Sequence, residues 1–274
     1  GVGGVVGRGL PDEVRHAKTL VRRPRGLTFV KRASEGEYST NKAYFGERQA
    51  KGLVRECHGD LHLGNIVLIG EQPTPFDCIE FDPALRWIDV ISEIAFTIMD
   101  LLHWKLPALA YRFLNAYLEI TGDYGGVRLL RFYVAYRAAV RAMVSAIRAE
   151  QTSLANRAKA EALASCRSFL ALAAECLAEH RPALIITHGL PGSGKTSFAQ
   201  AAMERLQAIR IRSDVERKRL FGLSSLADSR SHPGGPKATN PPPETVTNPA
   251  LRSRKSRREN PMAPPVMRSG KRRS

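Results

Sequence analysis

From Ile88 to Leu102 the apolar residues Ile88, Ile91, Ile94, Ala95, Ile98, Leu101 and Leu102 recur at intervals of three and four. That spacing predicts an amphipathic helix. Three further helices follow at about 107–121, 127–149 and 153–179, the last rich in Ala, Leu and Glu and ending before Arg181 and Pro182, where proline stops a helix. Upstream, a short helix over Tyr44–Arg55 leads into ECHGDLHLGNIVLIG. Ile66–Ile69 and Pro75–Ile79 read as two short strands joined by a turn at Gly70–Pro73. The first 40 residues are Gly- and Arg-rich with weak periodicity, and no strand stands out.

At Pro182 the pattern changes. Ala183–Thr187 (ALIIT) is a short apolar run of the kind found in a buried parallel strand, followed by a helix to about Leu206 and a second short strand at Ala208–Ile211. One β-α-β unit thus begins here, with a short helix at Val215–Phe221 behind it. After Phe221 there is no aromatic residue, and nine of the 17 prolines lie in 229–274 beside Ser, Asn and Arg, a composition that predicts disorder. The expected organisation is a poorly structured segment over 1–43, a mainly helical domain over 44–181, a partial domain built on the β-α-β unit over 182–228 and a disordered basic tail over 229–274. The fold class is α/β (α+β).

Composition narrows the functional classes. The 274 residues allow one or two domains with real cores, and a hydrophobic share of 43% excludes a wholly disordered chain. The net charge of +16 suggests a nucleic-acid partner until it is divided along the chain. Residues 1–56 carry 12 basic and 6 acidic side chains, 229–274 carry 11 and 2, and 57–228 carry 19 and 18. The excess therefore lies in the two ends. The tail has no aromatic side chain for base stacking, and RSRKSRR and SGKRRS would support only salt-sensitive phosphate contacts. No specific nucleic-acid partner is expected. Cys57, Cys78, Cys166 and Cys176 lack CxxC spacing and sit among apolar neighbours, which points to buried reduced thiols. With no run of about 18 apolar residues and no convincing signal peptide, the expectation is a cytoplasmic protein without a membrane partner.

Two motifs carry chemistry. In His58-Gly59-Asp60-Leu61-His62-Leu63-Gly64-Asn65 an Asp and an Asn stand five residues apart, just before a strand. This is the spacing of a kinase catalytic loop, where the Asp accepts the proton of a substrate hydroxyl and the Asn helps hold Mg²⁺ on the nucleotide phosphates. Asp77, Glu80 and Asp82, in FDCIEFDP, follow at the end of the second predicted strand. A metal–phosphate site needs such convergence, because one segment cannot surround a cation.

These residues resemble the aminoglycoside phosphotransferase-like kinases, whose catalytic loop reads HGDxHxxN. The longer run CHGDLHLGNIVL…FDCIEFDPALRWIDVISEIAF is similar to two-domain bacterial proteins described as bifunctional aminoglycoside phosphotransferase/ATP-binding proteins. The resemblance implies Asp60 as catalytic base and Asn65 as a Mg²⁺ ligand. Glu80 stands where most relatives carry the metal-binding Asp, with Asp82 as the competing candidate; a glutamate there is a departure, since its longer arm moves the carboxylate. Asp89, near a helix start, is expected to be a structural partner of the catalytic loop.

The second motif, Gly189-Leu190-Pro191-Gly192-Ser193-Gly194-Lys195-Thr196, fits G-x-x-x-x-G-K-[ST], the P-loop. Its glycines let successive N–H groups turn inward around phosphate oxygens, and the helix that follows points its positive end at the same anion. Lys195 would reach the β- and γ-phosphates of ATP, and Thr196 would ligate Mg²⁺. In the P-loop kinases that this segment resembles, an Asp after the second strand faces the phosphoryl acceptor, a role the resemblance implies for Asp214; the alternative is an N-cap of the helix starting at Val215.

Both machines look incomplete. About 55 residues precede the HGD loop, without a V-A-I-K-like strand, and Lys31 in TFVKR is the only faint candidate for the strand lysine. No apolar strand ending in Asp follows Phe221. The sequence therefore reads as a truncated or frame-shifted form of a longer two-domain kinase. Three functions compete: ATP-dependent phosphoryl transfer to a small-molecule hydroxyl, a nucleotide-binding remnant without turnover, and a non-specific nucleic-acid binder acting through the basic ends.

Overall fold

The computed structural model describes residues 24–151, 155–179, 182–190 and 192–223. By its contacts the chain divides into two units, Gly1–Ala227 and Asp228–Ser274, and the second lies outside the described residues. The disorder expected of the basic tail therefore falls outside them, as does most of the glycine-rich start. Within the first unit the structure is mixed α/β and mostly helical, with two small sheets. The helices are α1 (Pro24–Ala50), α2 (Val90–His103), α3 (Pro107–Thr121), α4 (Val127–Glu150), α5 (Asn156–Leu177), α6 (Lys195–Leu206) and α7 (Ser213–Leu220). The strands are β1 (Val54–Glu56), β2 (Ile66–Ile69), β3 (Gln72–Pro75) and β4 (Trp87–Asp89). β1 pairs antiparallel with β4, and β2 with β3.

Helix α1 is the largest departure from the sequence reading, which left residues up to 43 poorly structured and began a helix at Tyr44. Its buried positions are Val30, Ser34, Asn41 and Arg48, with Tyr38 and Phe45 packed beside them. The stripe has helical period, but half of it is polar, so a search for apolar periodicity passes over it. Two of the three polar members, Asn41 and Arg48, are matched across the core, and the Ser34 hydroxyl is buried without a partner. Arg128 donates to Asn41 Oδ1 at 2.7 Å, and Arg48, whose side chain is 1% exposed, binds Asp89 and Asp123.

The core lies among α2, α4 and α5. α2 is buried from Ile91 to Leu101. α4 offers Ala135, Ala138, Ala139, Ala142 and Ala146, and α5 faces it with Cys166, Phe169, Leu170 and Ala173. Small side chains on α4 let the two axes approach closely, and α5 is its main packing partner. All four cysteines are free; Cys166 is buried and the others are half-buried. Burial raises the Cys57 thiol to about 11 and the Cys176 thiol to about 12, so both remain protonated near neutral pH. No described helix is long and apolar enough to cross a membrane.

Three predicted strands come out differently. The second hairpin strand is Gln72–Pro75 rather than Pro75–Ile79, because β2 turns tightly through Gly70 and Glu71, with Ile69 opposite Gln72. Residues 76–79 run on as a loop. Neither Ala183–Thr187 nor Ala208–Ile211 forms a strand. A strand is held by a hydrogen-bonded neighbour, and no described segment pairs with 183–187, so Leu184 and Ile186 stand 88% and 79% exposed. The 208–211 segment is fastened to α3 instead. Asn115 donates to Ala208 O at 3.0 Å and accepts from Arg210 N at 2.6 Å. One amide thus supplies the pair of bonds that a neighbouring strand would.

Candidate functional site

The HGD loop connects β1 to the short 3₁₀ turn Leu63–Asn65 and to β2. α2 holds it from beneath. Glu93 accepts the N–H groups of His58 and Gly59, at 3.2 and 3.1 Å. Thr97 donates to Leu61 O at 2.7 Å, and Asp100 accepts Leu63 N–H at 2.9 Å. Residues 93, 97 and 100 share one face of α2. From α4, buried Arg137 donates to Gly59 O and to Ser92 O, both at 3.2 Å. The backbone of the loop is therefore fixed by a polar stripe inside an otherwise apolar helix pair. Sequence reasoning missed Glu93, Thr97, Asp100 and Arg137. The signal available was the recurrence of polar residues at helical spacing within the apolar run of α2.

Asp89 directs its hydrogen bonds to Arg48 and Ile91 rather than to this loop, unlike the expectation from its position. It caps α2 by accepting Ile91 N–H at 2.9 Å and binds Arg48 through both oxygens, at 2.7 and 2.8 Å. Its carboxylate thus ties α1 to the start of the helix that carries the loop.

Two glycines are required by space. Gly59 has φ +88°, and a Cβ there would lie 3.0 Å from Leu85 O and 3.1 Å from Ile79 Cδ1. A Cβ at Gly64 would lie 2.8 Å from the His62 ring. That ring folds back so that His62 Nδ1 accepts Gly64 N–H at 3.0 Å. The ring proton therefore sits on Nε2, which faces Asp60 Oδ2 at 3.5 Å. Asn65 is buried and donates to Asp60 O at 3.0 Å and to Asp60 Oδ2 at 3.2 Å. The structure thus brings Asp60 and Asn65 together. His62, followed by the more distant positive charges of Arg141 and Arg137, holds the Asp60 carboxyl below the usual aspartate range against the opposing effect of burial.

The acidic loop is stitched alongside. Phe76 N–H binds Asn65 O at 3.0 Å, Ile79 N–H binds His58 O at 3.1 Å, and His58 Nε2 lies 2.8 Å from Phe76 O. Glu80 follows directly and is exposed. Asp82 caps the 3₁₀ turn Pro83–Leu85 by accepting Ala84 N–H at 2.8 Å. Among the described residues no three His, Cys, Asp or Glu side chains gather tightly enough to hold a metal by themselves. The available donors, the amide oxygen of Asn65 and the carboxylates of Asp60, Glu80 and Asp82, are all hard oxygens. They suit Mg²⁺, which takes one or two carboxylates and completes its shell with water and phosphate.

Glu93 gives a testable electrostatic signature. Burial raises its pKa, and the Gly59 N–H and Arg137 oppose that shift only in part. The native state then keeps this proton to a higher pH than the unfolded chain does, so its contribution to stability falls as pH rises through the window just above the usual glutamate range. Glu93→Gln is expected to flatten that slope. It should also cost about 1–3 kcal/mol at neutral pH, since one loop N–H then faces an amide NH₂. Urea titrations across pH 4–8 or so check both; an unchanged slope would refute the assignment.

The P-loop segment lies apart in sequence, and its described residues are largely exposed. Gly192 and Gly194 both have φ +78°, and Gly194 is the N-cap of α6. Lys195 Nζ folds back onto the loop, donating to Gly189 O at 2.8 Å and Leu190 O at 2.6 Å. Thr196 sits in the first turn of α6. Pro191 is outside the described residues. Asp214 lies in the first turn of α7, whose N-cap is Arg212, so it is not the cap. Its carboxylate binds Arg212 at 2.9 Å. Burial would raise its pKa, but the hydrogen bond and charge of Arg212 bring it below the usual range. Arg212 and Arg210 both bind Glu119 of α3, at 2.9 and 3.1 Å. A cleft of about 310 Å³ between α3 and α6 is lined by Arg112, Asn115, Glu119, Gln200, Met203 and Arg210.

Residues 184–262 match the AAA domain family, a span that contains all of Gly189–Thr196 and makes this a P-loop module of the NTPase kind. The chain is 32% identical over 208 residues to uncharacterized proteins of Mycobacterium bovis and Mycobacterium tuberculosis, an alignment covering 76% of this chain and 41% of each relative. It therefore spans about two-fifths of the length of those relatives. No solved structure matches it.

Proposed function

We propose that the chain is an ATP-dependent phosphotransferase of the aminoglycoside phosphotransferase-like kind, acting on the hydroxyl of a small molecule, with a P-loop module that binds nucleotide phosphate. The observation carrying this reading is the Asp60–Asn65 pair, 3.2 Å apart on a loop whose backbone is pinned by Glu93, Thr97, Asp100 and Arg137. A general base has to be held while its surroundings change, and this loop is held through its main chain, leaving the Asp60 carboxylate to act.

In the transfer, the acceptor oxygen attacks the γ-phosphorus of ATP and its proton passes to Asp60. The new P–O bond forms as the bond to the ADP oxygen breaks, and ADP leaves with that electron pair. Asn65, with Glu80 or Asp82, would hold Mg²⁺, which when bound neutralises phosphate charge. At the second site Gly189–Thr196 would hold ATP phosphates, with Thr196 toward the cation and Asp214 facing an acceptor.

The retention of nucleotide binding without turnover at the P-loop is favoured by one observation, the unpaired and exposed ALIIT segment in front of it. The experiment that separates the two sites is Mg-ATP binding and turnover in Lys195→Ala beside the parent chain. Lys195→Ala is expected to weaken ATP binding by about tenfold or more, the loss of a charge-assisted phosphate contact. Phosphoryl transfer that depends on Asp60 should survive at saturating ATP. Unchanged nucleotide affinity would remove the P-loop from the reading.

A further inference from the structure

Arg141 stands one helical turn beyond Arg137 on the same face of α4, and the two arginines are used very differently. Arg137 is buried and spends its N–H groups on Gly59 O and Ser92 O. Arg141 is half-buried, its Nε is shielded from solvent without a hydrogen-bond partner, and no ion pair among the described residues includes it. Its guanidinium carbon lies 5.8 Å from the centre of the Phe169 ring. Phe169 stacks on His103 at 3.9 Å with the planes 14° apart, and His103 meets Trp104 edge-on at 5.8 Å. Trp104 is open to solvent. An aromatic shelf thus runs from Trp104 at the surface through buried Phe169 to Arg141, which stands one turn along α4 from the Arg137 that binds Gly59 O, the neighbour of Asp60 in the loop.

The field in this region has one uncommitted sign. Asp100 is buried and engaged by Leu63 N–H, and Glu93 is engaged by His58 and Gly59. A half-buried guanidinium with no carboxylate is costly unless a ligand supplies one.

We propose that the phosphoryl acceptor is an anion: a hydroxyl-bearing small molecule whose carboxylate or phosphate binds Arg141 above the Phe169–His103 shelf while its hydroxyl faces Asp60. This rests on the phosphotransferase reading for Asp60 and makes Arg141 the residue that selects the substrate class. A polycationic acceptor would be repelled at the same place.

Three probes of similar size and different charge test it: gluconate, glucose and glucosamine, titrated calorimetrically into the full chain. Gluconate should bind more tightly than the other two. Arg141→Met, which keeps the apolar stem over Phe169, should weaken gluconate by about tenfold or more and leave Mg-ATP affinity unchanged. Arg141→Lys keeps the charge and should keep the preference for gluconate over glucosamine. Tighter binding of glucosamine, no binding of gluconate, or an Arg141→Met chain with parental gluconate affinity would overturn the proposal. Asp60→Asn separates this from the reading beneath it. Gluconate binding that persists there and still depends on Arg141 upholds the anion site even if phosphoryl transfer proves independent of Asp60.

Discussion

Asp60→Asn is expected to lower phosphoryl transfer from Mg-ATP by about 10²–10⁴-fold, the usual contribution of a positioned general base, with the fold intact. The substitution is nearly isosteric, and an amide oxygen at that position still accepts from Asn65 Nδ2, now 3.2 Å from Asp60 Oδ2. The loop does not rely on the Asp60 side chain for its shape, because Glu93, Thr97, Asp100 and Arg137 grip its main chain. A loss of rate is then a loss of chemistry. Mg-ATP binding at Gly189–Thr196 should be unaffected. The pH profile of the parent supplies a second readout. His62, with Arg141 and Arg137, holds the Asp60 carboxyl below the usual aspartate range, so the base stays ionised through neutral and mildly acidic pH. Rate should fall only in stronger acid, as the proton returns. Single-turnover rates from pH 3 to 8 or so, measured on both chains, decide the matter; equal rates in the two would remove Asp60 from the reaction.

How much of this was legible in the sequence depends on what each residue faces. α3 was placed at its observed bounds, and α2, α4 and α5 to within a few residues, because their buried sides are apolar and the period shows directly. α1 was not, because the side it buries presents Ser34, Asn41 and Arg48, and the cross-core partners of Asn41 and Arg48 are 41 to 87 residues away. Strands β1 and β4, three residues each, are too short for alternation to register. The P-loop was readable from glycine spacing alone. Asp60 and Asn65 were readable as a pair because their geometry is local, five residues within one loop. The residues that hold the pair in place come from α2 and α4, and nothing in the loop's own sequence names them. ALIIT shows the converse: an apolar run states that a strand would be stable with a neighbour, and it does not supply the neighbour.

Arg48→Leu is expected to destabilise the chain by about 3–5 kcal/mol, the cost of breaking a buried ion pair from one side. Arg48 binds Asp89 through two contacts of 2.7 and 2.8 Å and Asp123 through two of 2.7 Å. Without it both carboxylates remain in the interior, Asp89 5% exposed and Asp123 accepting at 3.2 Å from the Tyr117 hydroxyl, whose pKa burial and Asp123 raise and which therefore stays a donor. Each carboxylate also has a backbone duty: Asp89 caps α2 at Ile91, and Asp123 accepts Gly126 N–H at 3.2 Å. Asn can serve both caps without charge. Arg48→Leu combined with Asp89→Asn and Asp123→Asn should therefore recover most of the loss, because the penalty lies in unpaired charge rather than in lost packing. Urea midpoints for the parent, the single variant and the triple variant test this. A deficit below about 1 kcal/mol would mean that water or rearrangement already solvates the pair. The consequence reaches the site: Arg48 fixes the start of α2, and one and two turns further along that helix are Glu93 and Thr97, which hold the Asp60 loop. Loosening α1 should thus slow phosphoryl transfer before it unfolds the chain.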